Sequence, residues 1–212
     1  MFYNIYIMTM ALRDPTHLYE GEISEGKRKV AKFVSDILQP PVVSIPLFIA
    51  LSLGAENVPL TIAVCLFFSF VFPMVEIYAW AKYKGIEGDI PNKDDRFVPL
   101  MLGVISYVIG AIVLHLISAP AIVEVTMVAY AVNTFVLVFI SRYWKISIHA
   151  IGLVGPIMAL IYVYGPWCAL LAVLIPLVMW SRYVLKKHTP AQLICGALLG
   201  LVLTSAVFAL ML

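Results

Sequence analysis

Seven apolar stretches occupy most of the sequence after residue 40, and they restrict the fold more than any other feature. We place them at residues 41–54, 59–82, 98–117, 120–140, 148–164, 167–185 and 191–211. Hydrophobic residues make up 63% of the chain, against about 45–50% in soluble domains. Backbone polar groups inside hydrocarbon must be satisfied within the protein, so stretches of this length form helices. The sequence therefore predicts an all-α fold, a polytopic membrane helix bundle of six to seven transmembrane helices.

An amphipathic segment precedes the first apolar stretch. Its apolar residues recur at helical spacing and basic residues crowd the same region: Val30, Phe33, Val34, Ile37 and Leu38, with Lys27, Arg28, Lys29 and Lys32. This pattern predicts a helix from Ser24 to Leu38 that lies on the membrane surface and ends at Pro40-Pro41. A partly ordered solvated tail is the alternative. We therefore divide the chain into an N-terminal segment, residues 1–38, with this interfacial amphipathic helix, and an integral membrane domain, residues 39–212. No secretory signal peptide is predicted.

The basic residues are predicted to lie on one side of the membrane. The loops after the second, fourth and sixth stretches hold nine of the 14 Lys and Arg residues. The other five lie in the N-terminal segment and join that side if the first stretch crosses the membrane. Basic loops tend to remain in the cytoplasm, so we expect a multi-pass protein of the cell membrane with this side facing the cytoplasm. A site that binds anions would concentrate the same charges, and that alternative stays open.

Three segments on the basic side carry side chains suited to a phosphate group. They are GDIPNKDDRFVP at residues 88–99, WKISIHA at residues 144–150 and SRYVLKKHTPAQ at residues 181–192. Each contains Arg or Lys, and two contain a His beside an apolar stretch. Guanidinium groups donate paired hydrogen bonds to phosphate oxygens, and imidazoles act as nucleophiles and proton donors. The three segments therefore indicate a phosphate site at a lipid interface.

The last segment resembles a known enzyme family. Ser181-Arg182, followed after five residues by His188, resembles the third motif of the type 2 phosphatidic acid phosphatase superfamily, membrane lipid phosphatases related to vanadium haloperoxidases. That motif continues with an Asp four residues after the His, where this chain has Gln192. The resemblance covers roughly residues 85–205 and identifies residues 39–212 as a divergent phosphatase-like domain.

The two earlier segments resemble the other motifs of the family. Ser147 and His149 match the Ser and His of the second motif, P-S-G-H. Asp89 to Arg96 resembles the first motif, K-x6-R-P, with the Arg retained, Asp89 in place of the Lys and the Pro displaced to Pro99. The order of the motifs and the final helix agree with the family.

The resemblance implies a role for each matched residue. His188 would attack phosphorus and form a phosphohistidine, while His149 would protonate the departing alkoxide and then activate water. The remaining roles are phosphate binding by Arg182, Arg96, Ser147, Lys145 and Lys93, and orientation of the histidine by Gln192 and Asp89. The resemblance thus implies a metal-independent phosphoric monoester or diphosphate hydrolase without a cofactor. The expected partners are the lipid bilayer and an isoprenoid (di)phosphate or phosphatidic-acid-like lipid, and no nucleic acid.

Two other functions remain open at this point. Because Gln192 cannot supply the charge of the family's Asp, the chain could bind or transport a lipid phosphate with weakened turnover. We nevertheless expect Gln192→Asp to keep or raise phosphatase activity. The second alternative is a UbiA-like prenyltransferase, because Asp89, Asp94 and Asp95 faintly resemble its magnesium-binding loop. The sequence leaves the lipid chain and the oligomeric state open.

Overall fold

The structure, a computed structural model, describes residues 23–85 and 94–212, and this part of the chain contains helices and no strand. The helices are α1 (Glu25–Ile37), α2 (Pro40–Ser52), α3 (Val58–Leu66), α4 (Phe72–Lys84), α5 (Phe97–Leu116), α6 (Ala121–Tyr143), α7 (Ile148–Tyr164), α8 (Leu174–Val184) and α9 (Pro190–Met211). A π-helical turn, Phe67–Val71, joins α3 to α4. Segments of 3-10 helix precede α5 (Asp94–Arg96) and α8 (Pro166–Val173). The predicted all-α fold is confirmed.

Five helical segments are long and apolar enough to cross a membrane: Val58–Lys84, Phe97–Leu116, Ala121–Tyr143, Pro166–Val184 and Pro190–Met211. The pair α1 and α2, bent by 47°, makes a sixth if it counts as one span. The structure therefore agrees with the lower end of the predicted range of six to seven transmembrane helices if this pair is one span. The physical reason is length, because the 13 residues of α2 rise only about 20 Å, short of a hydrocarbon core of about 30 Å. Helix α7 is also apolar but has 17 residues.

The predicted amphipathic segment is a helix with three different faces. Val30, Phe33 and Ile37 are 54%, 65% and 45% exposed and form an outward apolar face suited to lipid. Ala31 and Ser35 are buried on the face that packs against α8, while the basic residues are exposed. The described part of the N-terminal segment is therefore packed onto the membrane domain.

Two glycines bring α7 and α9 into close contact. A Cβ on Gly196 would lie 2.9 Å from the Ser147 carbonyl oxygen, and one on Gly200 would lie 2.7 Å from that of Ile151. Small residues four apart allow this approach between membrane helices. At the same end of the pair, the backbone N–H of Ser147 donates to the carbonyl of Gln192 at 3.3 Å. The starts of α7 and α9 are thus held side by side.

Helices α5 and α6 are joined by a short turn and form a tight hairpin. The turn between them contains Ser118, whose φ of 53° reverses the chain in the left-handed region. Tyr130 of α6 packs against α2 with its ring centred 5.7 Å from that of Phe48, and against α5 with its ring centred 5.5 Å from that of Tyr107. These three rings belong to the buried hydrophobic core.

Candidate functional site

A cavity of about 610 Å³ lies inside the bundle. Its wall includes residues from α1, α4, α5, α6, α7 and α9, the end of α8, and the loop before α9. Four side chains of the three motifs, Arg96, His149, Arg182 and His188, line it together. The fold therefore brings predicted site residues from three separate segments to one cavity.

His188 is held in a defined orientation. The residue is 1% exposed, and its Nδ1 lies 3.1 Å from the carbonyl oxygen of Lys145. A carbonyl only accepts hydrogen bonds, so Nδ1 is the donor and the neutral ring keeps its lone pair on Nε2. The loop turns back through Lys186, whose φ is 56°, and the N–H of Lys187 donates to the carbonyl of Arg182. This turn returns His188 toward Arg182.

The surroundings of His188 favour its neutral form. Burial is the largest cause that lowers its pKa well below the usual 6.5, because the charged ring would lose its solvation. The nearby positive groups Arg182, Arg96, Lys145 and His149 lower this pKa further, in that order. At neutral pH the ring therefore presents an unprotonated Nε2 within a cationic environment. Such an environment attracts an anion.

Both motif arginines are buried, Arg182 at 3% and Arg96 at 6% exposure. Arg182 Nη1 donates to Ser35 Oγ at 2.8 Å. The 3-10 turn that contains Arg96 is tied to α4 by a hydrogen bond, in which Trp80 Nε1 donates to the carbonyl of Asp95 at 2.9 Å. Burying guanidinium groups is costly in free energy, and an anion in the cavity would offset that cost.

Ser35 is a site residue that the motifs did not predict. It is 4% exposed, and its Oγ contacts both Arg182 Nη1, at 2.8 Å, and His149 Nε2, at 3.5 Å. The sequence offers one weak signal, a small polar residue four positions after Ala31 on the same face of a helix. The contacts themselves depend on tertiary structure. Helix α1 is therefore part of the site.

Two predicted residues lie behind the cavity wall. Ser147 is fully buried and caps α7 by accepting the backbone N–H of Ala150 at 3.4 Å. Gln192 is fully buried and forms a capping box with Thr189, whose N–H donates to Gln192 Oε1 at 3.1 Å. Among the residues the structure describes, those that line the cavity do not include these two. Phosphate binding by Ser147 and orientation by Gln192 stay predictions, and capping the starts of α7 and α9 is an additional role.

The remaining predicted residues divide into two groups. Lys145 is half-buried, and its carbonyl is the group that accepts from His188. Lys93 and Asp89 lie outside the described residues. The predicted phosphate contact of Lys93 and the orienting role of Asp89 therefore stay predictions.

The cavity continues from the motif residues along an apolar wall. Met74, Ile77, Leu100, Leu137 and Ile151 are among the side chains that line it. A hydrocarbon chain gains free energy when it leaves water for such a surface. The arrangement can hold an anionic group beside the histidines and an attached hydrocarbon along this wall.

The magnesium-binding alternative depends on the acidic loop. Within residues 23–85 and 94–212, no three His, Cys, Asp or Glu side chains form a group suited to a metal ion. Asp95 pairs with Lys84 at 3.1 Å. The prenyltransferase alternative stays a prediction, and it rests on Asp89 and Asp94 of the same loop.

The resemblance to lipid phosphatases thus rests on the motif residues, and the cavity they share is an additional observation from the fold. Comparisons with known proteins add no relative. No protein-family model, no curated protein and no solved structure matches the chain.

Proposed function

We propose that this protein is a membrane lipid-phosphate phosphatase that hydrolyses an isoprenoid (di)phosphate or a phosphatidic-acid-like lipid through a phosphohistidine. One observation supports this most, the convergence of Arg96, His149, Arg182 and His188 on a single cavity. The apolar helices of the protein are compatible with a multi-pass membrane protein. A location in the cell membrane with the site facing the cytoplasm is part of the proposal and follows from the basic loops.

In the first step, the lone pair on His188 Nε2 attacks phosphorus. The N–P bond forms and the P–O bond to the leaving group breaks. Protonated His149 gives its proton to the departing oxygen, which belongs to an alkoxide for a monophosphate and to a lipid phosphate for a diphosphate. Arg96 and Arg182 stabilise the negative charge on the nonbridging oxygens. The hydrogen bond from His188 Nδ1 to the Lys145 carbonyl stabilises the positive phosphorylated ring.

In the second step, water attacks the phosphohistidine. His149, now neutral, takes a proton from that water, and the N–P bond breaks to release inorganic phosphate. His188 returns to its neutral form and His149 to its protonated form, so atoms and protons balance over the cycle. The 3.5 Å contact with Ser35 Oγ supports His149 Nε2 in a fixed position for both transfers.

Phosphate release from purified protein tests the proposal. Prenyl monophosphates, prenyl diphosphates and phosphatidic acid are supplied in detergent with a chelator, and released phosphate is measured by malachite green. We expect His188→Ala to lower release by at least about 10³-fold and His149→Ala by about 10²–10⁴-fold. Radiolabelled substrate should leave acid-labile label on wild type and none on His188→Ala.

His115→Ala is the matched control. His115 is an exposed histidine whose Nδ1 pairs with Glu124 at 3.2 Å, and it does not line the cavity among the described residues. Its removal should leave release unchanged. Release that persists in His188→Ala at the wild-type rate would overturn the phosphohistidine mechanism.

A binding or transport protein without turnover is the second candidate. The observation that favours it is Gln192, which stands in place of the family's Asp and is engaged in the helix cap of α9. Thermal stabilisation by lipid phosphates without any phosphate release would support this candidate instead. Magnesium-dependent consumption of a prenyl diphosphate that releases pyrophosphate, and not inorganic phosphate, would support the prenyltransferase alternative.

A further inference from the structure

An acidic side chain lines the same cavity away from the motif residues. Glu76 is 9% exposed and belongs to α4, within the long apolar segment Val58–Lys84. Its Oε2 is buried and has no hydrogen-bond partner among the described residues. Ionisable side chains inside membrane segments are costly and by default mark functional sites. A group that donates a hydrogen bond from within the cavity would satisfy this oxygen.

Glu76 lies about one helical turn inward from the phosphate-binding end. Trp80, four residues later on α4, donates to the carbonyl of Asp95, which directly precedes Arg96. Four residues of helix rise about 6 Å. A ligand whose phosphate meets Arg96 would therefore present the next few atoms of its body to Glu76.

Two more buried oxygens follow deeper on the cavity wall. Tyr130 OH and Asn133 Oδ1 both line the cavity, and neither has a hydrogen-bond partner within residues 23–85 and 94–212. The Asn133 amide is held in place because its Nδ2 donates to Thr204 Oγ1 at 3.0 Å. Buried polar atoms without partners cost free energy, and a plain hydrocarbon chain would leave all of them unsatisfied.

We propose that Glu76, with Tyr130 and Asn133 deeper on the wall, forms a hydrogen-bond-accepting subsite for a hydroxyl or ammonium group in the body of the ligand. This inference rests on the proposed function for the phosphate end of the cavity. The preferred substrates are then lipid phosphates that carry a donor group within a few bonds of phosphorus. A prenyl phosphate has no such donor and makes a poorer ligand.

Binding of three single-chain lipid phosphates of similar length tests the subsite. Octadecyl phosphate has no donor, a 1-acylglycerol phosphate has a hydroxyl, and a long-chain amino-alcohol phosphate has a hydroxyl and an ammonium. Affinity is measured from the concentration dependence of thermal stabilisation, and phosphate release is measured in parallel. We expect wild type to bind both donor lipids at least about tenfold more tightly than octadecyl phosphate.

Two variants separate charge from hydrogen bonding. Glu76→Gln keeps an accepting oxygen but removes the carboxyl group with which an ammonium can form an ion pair, so the advantage of the ammonium lipid over the hydroxyl lipid should disappear. Glu76→Leu should remove the preference for either donor, and it should bind octadecyl phosphate more tightly than wild type does, because no unsatisfied carboxyl then faces the hydrocarbon chain. Glu124→Gln is the control, because Glu124 pairs with His115 at 3.2 Å, and it should bind as wild type does. Tyr130→Phe removes one oxygen and tests the subsite if the Glu76 variants fail to fold.

Each outcome decides the inference. Equal affinity of wild type for all three lipids, or an unchanged preference in Glu76→Leu, overturns the subsite. Water would then be the hydrogen-bond partner of these buried oxygens. A preference that depends on Glu76 without phosphate release from any lipid supports the subsite and overturns the phosphatase. Failure of all three lipids to bind overturns the subsite, and the phosphatase is overturned as well if prenyl phosphates and diphosphates also release no phosphate.

Discussion

Ser35 Oγ accepts a 2.8 Å hydrogen bond from Arg182 Nη1, across 147 positions of sequence. The same oxygen lies 3.5 Å from His149 Nε2. One hydroxyl on α1 therefore contacts a proposed phosphate-binding side chain and the proposed proton donor. Their relative position depends on a helix that lies outside the three motifs.

Ser35→Ala should lower kcat because it removes the hydroxyl shared by Arg182 and His149. A misplacement of about 1 Å can reduce the rate by about 10²-fold, so we expect a loss of about 10- to 100-fold. Ser44→Ala is the control, since Ser44 is a buried serine too and donates to the Pro41 carbonyl at 2.6 Å. Each variant should lose about 1 kcal/mol of stability. Equal kcat values for the two variants would show that Ser35 has only a structural role.

Arg182→Lys should reduce kcat/KM for phosphate release by about 10²-fold or more, because a lysine cannot reproduce the planar, paired donors of a buried guanidinium. Arg142→Lys provides the comparison. Arg142 is exposed, and its guanidinium lies 4.6 Å from the centre of the Phe97 ring. It should retain wild-type kcat/KM. Full activity of Arg182→Lys would exclude a paired contact with the phosphate.

The pH dependence of stability should report the depressed pKa of His188. The unfolded histidine titrates near 6.5, so below that pH the unfolded state takes up a proton that the folded state resists. The contribution of His188 is therefore fully present above about pH 6.5 and is lost as the pH falls toward the folded pKa. His188→Asn can keep a donor toward the Lys145 carbonyl and does not titrate. Thermal unfolding from pH 5 to 8 should show a steeper acid loss in wild type, and parallel curves would contradict the depressed pKa.

Gly200→Ala should destabilise the contact between α7 and α9, because its Cβ would lie 2.7 Å from the carbonyl oxygen of Ile151. Overpacking of this kind costs about 1–3 kcal/mol. Gly26→Ala is the matched control, a helical glycine with no atom within 4 Å of its Cβ position, and it should be neutral or slightly stabilising. Thermal unfolding in detergent measures both. An equal response would mean that α7 moves away at little cost.

Two acidic substitutions of Gln192 should differ in their effect on the N-terminal cap of α9. Gln192→Glu keeps the length needed to accept from the Thr189 N–H and forms the usual Thr-x-x-Glu capping box. Gln192→Asp is one methylene shorter and should lower thermal stability by about 1 kcal/mol. Both place a negative charge near the cationic site, so we expect each to keep or raise turnover per folded molecule. A large loss of turnover in both would count against the family's geometry at this position.

The sequence predicted the helices well and the site only in part. Apolar stretches bounded by Pro, Gly and charged residues gave helix limits close to those observed. Helix α2 is too short to cross a membrane alone because its apolar stretch in the sequence is itself short. Motif spacing singled out Arg96, His149, Arg182 and His188, which line one cavity in the structure, and their catalytic roles stay predictions. Ser35 was not, because its contacts form only when α1 packs on α8. The role of the Lys145 carbonyl was also missed, since a backbone group leaves no trace in side-chain patterns.

The contact between α1 and α8 also bears on how the protein is made. Chains are synthesised from the N-terminus, so Ser35 enters the membrane region long before Arg182 and His188 exist. The site is complete only after the last helices have packed against the first. A partly inserted chain therefore lacks the assembled cavity, and biogenesis itself would restrict the proposed phosphate chemistry to the finished bundle.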